Sequence, residues 1–332
     1  MDKATAIEAY TPAAREALRE FPLDPEELEL VSVSENVSFR LIDRSDGAAY
    51  VLRLHRPWYH TLDELNAERV WIRALGDAGI SVPVPLATRD GRDYTTVSIA
   101  ATGERRNAGV ARWTEGELLA VLLRNNDDVS VYENYFAQLG AIVAAMHNQA
   151  SAWRVPASFT RHALDRNGLM GDAPFWGRFW EHPSLSSAER ALMIDTRDAL
   201  RGALDRYGTP RATFSLIHAD MHPGNLLVHD NTLTVIDFDD AGFGWHQYDI
   251  AVALRHYMDK PYYGAIEAAF VRGYRAVRDI SDAALALVPM FDVIRGLATI
   301  GWIMQRPELG RDLDAEYKDE VCAQCQAFEP PC

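Results

Sequence analysis

The sequence predicts an α+β chain folded in two lobes: a small first lobe with an antiparallel sheet and one helix, and a larger, mainly helical second lobe. Three observations point there. Short β-rich apolar runs crowd into the first third of the chain, whereas apolar residues recur every three or four positions from about residue 130 onward. At 332 residues, 48% of them hydrophobic, the chain is too long for one small core and natural for two. Within the second lobe, one stretch gathers histidines, aspartates and an asparagine at residues 218–240. The boundary is expected near residue 115, giving lobes of 1–115 and 116–332.

In chain order, residues 28–33 and 37–42 read as the first two strands. Ser34 and Asn36 lie in the polar turn between them, which alone is an ordinary hairpin turn. The run 49–54 is a further strand, with Arg53 among its apolar residues. Residues 62–79 are helical: Leu62, Leu65, Ile72 and Leu75 form one stripe, Glu68 falls within it, and Glu64 and Arg69 lie outside it or at its edge. A carboxylate facing a core needs a partner. Arg53 is the first choice for Glu68, with Arg69 or water as the alternative. Residues 110–116, with Trp113 and Thr114 among them, follow the fifth strand and join the lobes.

Beyond the joint, Tyr132, Tyr135, Phe136, Leu139, Ile142, Val143 and Met146 mark the buried stripe of a long helix. His147 ends it and is expected to donate to backbone there. Residues 151–185 scatter Trp153, Phe159, Phe175, Trp176, Phe179 and Trp180 among prolines, glycines and charges. That pattern suits a lid walling a ligand, although core filling is the commoner use of such side chains. Residues 226–228 and 233–236 read as two short strands joined by a turn, and helices are read from near Ser187, from the run 241–251, and at 261–278 and 283–306.

The chemistry concentrates in His218-Ala219-Asp220-Met221-His222-Pro223-Gly224-Asn225 and in Asp237 of Val235-Ile236-Asp237-Phe238-Asp239-Asp240. Phosphoryl transfer needs metal ions to neutralise phosphate oxygens and an acceptor hydroxyl held in line, with little covalent help. A hard octahedral cation such as Mg2+ takes oxygen ligands, here Asn225 and Asp237 with Asp239 as a weaker candidate, while Asp220 stays free to accept the hydroxyl proton. Asp220 and Asn225 are spaced as in the kinase catalytic loop H-R-D-x-x-x-x-N, and Asp237 falls where the metal-binding Asp of D-F-G is expected. The hairpin between them is the right length to return Asp237 beside Asn225. Arg53 would then steady the nucleotide phosphates as the strand cation, with Glu68 as its ion-pair partner.

With these residues the chain resembles the aminoglycoside phosphotransferase and choline kinase family, the small-molecule branch of the protein-kinase-like fold, whose loop reads H-G-D-x-H-x-x-N followed by D-x-D. Ala219 stands in place of the usual Gly, and Arg53 in place of the usual Lys. The resemblance extends over about residues 28–306. It implies that His222 braces the loop, that Ser34 and Asn36 stand in the place of the family's S-x-x-N phosphate loop, that residues 110–116 line the adenine, and that Asp249 supports the catalytic loop from below. It also implies ATP, with GTP possible, bound with Mg2+ between the lobes, and γ-phosphate transfer to a hydroxyl of a small metabolite, amino alcohol or aminoglycoside-like acceptor. A protein Ser/Thr kinase of the stress-response type, or a nucleotide-binding pseudokinase, is the alternative.

The composition limits partners. A net charge of -15 with no basic run argues against nucleic acid, whose phosphates are bound by Lys and Arg stripes. Neither a secretion signal nor an apolar run of membrane-spanning length is read, so a cytoplasmic, membrane-free enzyme is expected. Cys322, Cys325 and Cys332 are too few for a disulfide framework, and the single CxxC lacks the further ligands of a structural zinc site. The sequence is mute on oligomeric state.

Overall fold

The computed structural model describes residues 3–306 and 312–330, and the chain divides into two compact units. The first comprises the chain up to Glu117 with residues 155–160 and 227–236. It contains α1 (Lys3–Leu18), β1 (Pro25–Val33), β2 (Val37–Asp43), β3 (Ala49–Leu54), α2 (Leu62–Asp77), β4 (Pro85–Leu86), β5 (Tyr94–Ser98) and β6 (Arg105–Arg112). The sheet runs β1-β2-β3-β6-β4 with β5 also on β6, every pair antiparallel. Alternation along β2 and β3 buries Phe39, Leu41, Leu52 and Leu54, and α1 covers them with Ala6, Tyr10, Ala13, Ala14 and Ala17. Helix α1 escapes a reading by periodicity because its buried face is mostly alanine, which contrasts little with its polar neighbours.

Helix α2 begins with a capping box. Glu64 N–H donates to the Thr61 hydroxyl at 3.3 Å, and Thr61 N–H donates to the Glu64 carboxylate at 2.8 Å. Leu65, Ile72 and Leu75 are buried as expected, with Glu68 among them, whereas Leu62 stays 44% exposed. Arg69 corrects the helical phase. It is buried rather than marginal, because its Nε donates to the Tyr94 hydroxyl at 2.9 Å, a partner on a strand that helix periodicity cannot reveal.

The strand β7 (Glu117–Leu118) carries the chain from one unit to the next. After it come α3 (Leu119–Arg124), α4 (Val129–Ala152), β8 (Ala163–Leu164), α5 (Arg166–Met170), α6 (Ser187–Tyr207), β9 (Phe214–Ile217), the hairpin β10 (Leu226–His229) and β11 (Thr232–Val235), β12 (Gly242–Trp245), α7 (His246–Leu254), α8 (Tyr263–Val277), α9 (Asp282–Leu285), α10 (Val288–Met304) and α11 (Ala315–Ala327). Asp230 and Asn231 turn the hairpin with φ of 47° and 58°, the left-handed pair of a two-residue type I′ loop. Expected in the second lobe, the hairpin clusters instead with the first unit, because Val235 N–H donates to Ser81 O at 3.0 Å and the Ser81 and Thr234 hydroxyls meet at 2.7 Å.

In the second unit, α4 and α8 pack with their backbones nearly touching. A Cβ added at Gly273 would stand 1.8 Å from Ala137 O, and one at Gly140 2.1 Å from Phe270 O. The core gathers Trp176, Phe179 and Trp180 with Phe291, Ile294 and Leu297 of α10. These three aromatics of the 151–185 segment are core, not the wall of a lid, since their apolar area is worth more buried than exposed. The stretch Asp282–Met304 is, contrary to expectation, long and apolar enough to cross a membrane by length and composition, yet half of its most apolar window is buried inside the protein. Cys322 and Cys325 lie buried as free thiols on α11. Arg255 anchors that helix by pairing with Asp292 at 2.5 Å and Glu320 at 3.2 Å. Cys332 lies outside the described residues.

Candidate active site

Strand β9 ends at Ile217, and β12 lies antiparallel beside it, so the loop from His218 leaves from the end of a small fixed sheet. Two N–H groups of that loop are tied down at once: His218 N–H and Ala219 N–H donate to the two oxygens of Asp249 at 3.0 and 2.7 Å. Asp249 is fully buried in α7 and in turn accepts from His147 Nε2 at 3.2 Å. His147 therefore does not bond backbone at a helix end. The Tyr274 hydroxyl occupies its Nδ1 at 2.9 Å, and its ring stacks on His246 with centroids 4.1 Å apart. Burial pushes the Asp249 carboxyl up to about 6, against the pull of His218 and the two backbone donors.

Tied this way, Ala219 takes φ of 66°, a left-handed backbone that suits glycine and costs an alanine about 1 kcal/mol. Asp237 is held at φ of 65°. Non-glycine residues persist in this region only when their surroundings over-determine them, as happens at functional sites.

Asp220, His222 and Asn225 come together. Asn225 Nδ2 donates to Asp220 Oδ2 at 2.8 Å and to the Asp220 carbonyl at 2.9 Å. His222 Nδ1 accepts from Gly224 N–H at 2.9 Å, which leaves the proton of the neutral ring on Nε2, 3.3 Å from Asp220 Oδ2. His222 thus braces the loop and donates to the carboxylate with the same ring. On the other side, Arg295 of α10 reaches Asp220 Oδ1 at 2.6 Å and the Ala219 carbonyl at 3.4 Å. Burial pushes the Asp220 carboxyl up, but the Arg295 guanidinium and His222 outweigh it and hold it well below the usual carboxylate range.

Asp237 and Asp239 sit half-buried in the run that follows the hairpin. Arg161 holds that run from behind, donating to the carbonyls of Phe238 at 3.1 Å, Asp239 at 2.6 Å and Ala241 at 2.6 Å. Because the Asn225 amide NH2 is spent on Asp220, its oxygen is the atom left to offer a cation. Asn225, Asp237 and Asp239 each offer oxygen atoms, the ligand type that Mg2+ takes.

In the first unit, Arg53 lies half-buried on β3, in register with Ser38 of β2 and Gly109 of β6. Glu68 is 5% exposed on α2. Ser34 and Asn36 occupy the β1–β2 turn, but Asn36 is buried and its Oδ1 accepts from Arg56 N–H at 2.9 Å, so this side chain ties the turn to the segment after β3. Arg56 also pairs with Glu35 at 2.8 Å and lies 3.5 Å over the Tyr59 ring. Trp113 packs against Arg40, whose guanidinium is 5.3 Å from its ring centre, and Thr114 follows half-buried before Gly116. Gly116 has φ of 137°, and a Cβ there would stand 2.7 Å from Val228 O.

Arg295 and Arg161 are the residues that sequence reasoning missed. Each acts on a loop more than seventy positions away, and no local spacing could have flagged either.

Comparison with known proteins accords with this geometry. A model of the phosphotransferase enzyme family matches residues 28–285. The solved structure of a microcompartment-associated aminopropanol kinase is similar at TM-score 0.78 and 30% identity, over 95% of this chain and 94% of that one. Amicoumacin kinase of Bacillus subtilis (strain 168) is 22% identical over 304 residues, 89% of this chain and 84% of the relative. The structure of amicoumacin kinase hAmiN with AMP-PNP, Ca2+ and Ami aligns at TM-score 0.77 and 22% identity, over 98% of this chain and 94% of that one.

Proposed function

The chain belongs to the phosphotransferase enzyme family, and from that premise we propose that it transfers the γ-phosphate of ATP, or GTP, to a hydroxyl of a small metabolite, amino alcohol or aminoglycoside-like acceptor. The observation that carries this reading is the Asp220 carboxylate, gripped through both oxygens by Asn225, His222 and Arg295 beside an asparagine whose amide oxygen is left to a cation. Similarity to an aminopropanol kinase supports a small hydroxylated acceptor bearing an amine, and the amicoumacin kinases support a small-molecule acceptor.

The reaction follows from the residues. The acceptor hydroxyl passes its proton to Asp220 as its oxygen bonds the γ-phosphorus, and the bond from that phosphorus to the bridging oxygen breaks, releasing nucleoside diphosphate. Asp220 acts chiefly by orientation, because the phosphoryl transition state asks little of a base. His222, donating through Nε2, steers the carboxylate and is not itself a proton acceptor. Asn225 and Asp237 would hold Mg2+, with Asp239 beside them, and the ion supplies neutralisation of the phosphate oxygens when bound. Arg53 would steady the phosphates with a planar fork where a lysine would offer a point charge, and residues 110–116 would meet the adenine.

A coupled ADP-release screen across amino alcohols, hydroxy amino acids, sugars and aminoglycosides, with and without Mg2+, tests the proposal. Mg2+-dependent turnover on at least one such acceptor is the expected result. Labelling of protein in a cell extract, with none of these acceptors turned over, would contradict it.

A further inference from the structure

Resting on that reading, we propose that Arg295 is a positioning residue of the reaction: its guanidinium locks the Asp220 carboxylate in the orientation that meets the acceptor hydroxyl. The grip is double. One arm donates to Asp220 Oδ1 at 2.6 Å, and the other reaches the carbonyl of Ala219, the left-handed residue just before it, at 3.4 Å. Side chain and backbone of the reacting position are therefore held from one planar group.

The opposite oxygen, Oδ2, takes donors from Asn225 at 2.8 Å and His222 at 3.3 Å, both on the same short loop as Asp220. Those two can move with the loop, whereas Arg295 comes from α10, whose neighbours Ile294 and Leu297 are wholly buried. It ties the Asp220 side chain to the core of its unit, as Asp249 ties the backbone of His218 and Ala219.

Arg295 is itself held in place. Its guanidinium lies 5.9 Å from the centre of the Trp176 ring, and that ring stacks on Tyr248 at 6.0 Å. An aromatic floor and a carboxylate partner suit a planar fork far better than a flexible ammonium. Were the position only structural, an apolar side chain would serve, because withdrawing a charge from water is costly and seldom repaid in stability. A pair of this kind at the reacting carboxylate is explained by geometry, where about 1 Å of misplacement costs on the order of a hundredfold in rate.

The test is a double-mutant cycle on the full chain with its best acceptor. Arg295→Met is expected to lower kcat by about a hundredfold while KM for nucleotide and for acceptor stay within about threefold, since only the reacting orientation is lost. Arg295→Lys keeps the charge without the fork and is expected to recover part of that loss; it also serves should the Met variant fail to fold. On an Asp220→Asn background, Arg295→Met should cost less than about threefold more, because it acts through the group already removed. Additive losses in the double variant, or wild-type kcat with Lys at 295, overturn the inference alone. Unchanged kcat in Asp220→Asn overturns the base assignment, and this inference with it.

Discussion

The sequence singles out Asp220, Asn225 and Asp237 by their spacing along one short loop and the hairpin after it. What the sequence could not display is how each is held. Arg295 grips Asp220 from 75 positions away, and Arg161 binds the Phe238, Asp239 and Ala241 carbonyls from 77 to 80 positions away. Such partnerships exist only after folding. At the same scale, the Asn36 oxygen accepts from Arg56 N–H, a tie from the β1–β2 turn to the segment after β3 that the sequence does not display. The proposed metal role of Asp237 has a direct consequence. Asp237→Ala should weaken nucleotide binding in Mg2+ by at least about a hundredfold and leave binding in EDTA unchanged, because one anionic ligand of a hard cation is gone. Isothermal titration in both buffers checks this, and equal affinities of variant and parent in Mg2+ would contradict it.

Strands and long helices followed from periodicity. Strand β3 stands at 49–54 as read, and α2 differs by two residues at its end. Departures arose where a tertiary partner intervened, as with Tyr94 drawing in Arg69, or where alanine blunted the pattern, as in α1. The α4–α8 contact gives a sharp prediction. Gly273→Ala would drive a methyl onto the Ala137 carbonyl, a backbone atom that cannot swing aside, and should destabilise the fold by about 2 kcal/mol or more. Urea unfolding measures it, and an unchanged midpoint would refute so close an approach.

The elements beneath the catalytic loop also set a pH response. Burial holds His147 and His246 well below the ordinary histidine value of 6.5, so the folded protein keeps them neutral while the unfolded chain protonates them. Stability is then fully present above that value and falls by about 1.4 kcal/mol per pH unit for each histidine below it. Asp249, pushed up to about 6, runs oppositely: below that pH the folded state holds a proton that the unfolded carboxyl would not yet take, and this offsets one histidine. The net expectation is a melting temperature that drops between pH 7 and 5.5, and drops less in His246→Gln. A flat profile over that range would contradict it.

At the scale of the whole molecule, the α+β class and the kinase-type organisation were readable because the strand-rich third, the helical remainder and the central motif agree with one another. The division was less so. The hairpin 227–236 lies far along the chain yet belongs with the first unit, through Ser81, and chain order does not encode such a return. A structure sharing 30% identity is similar over 95% of the chain, while the acceptor is a matter of the particular side chains at the site rather than of the fold.

The central claim is that this phosphotransferase acts through Asp220, and one paired measurement tests it most directly: kcat on the best acceptor, and nucleotide affinity, for the parent and Asp220→Asn. The account predicts kcat lower by on the order of a thousandfold with nucleotide affinity within about twofold, as loss of the group that orients and receives the proton of the acceptor hydroxyl requires. Turnover surviving in the variant, or nucleotide affinity falling along with it, would contradict the account.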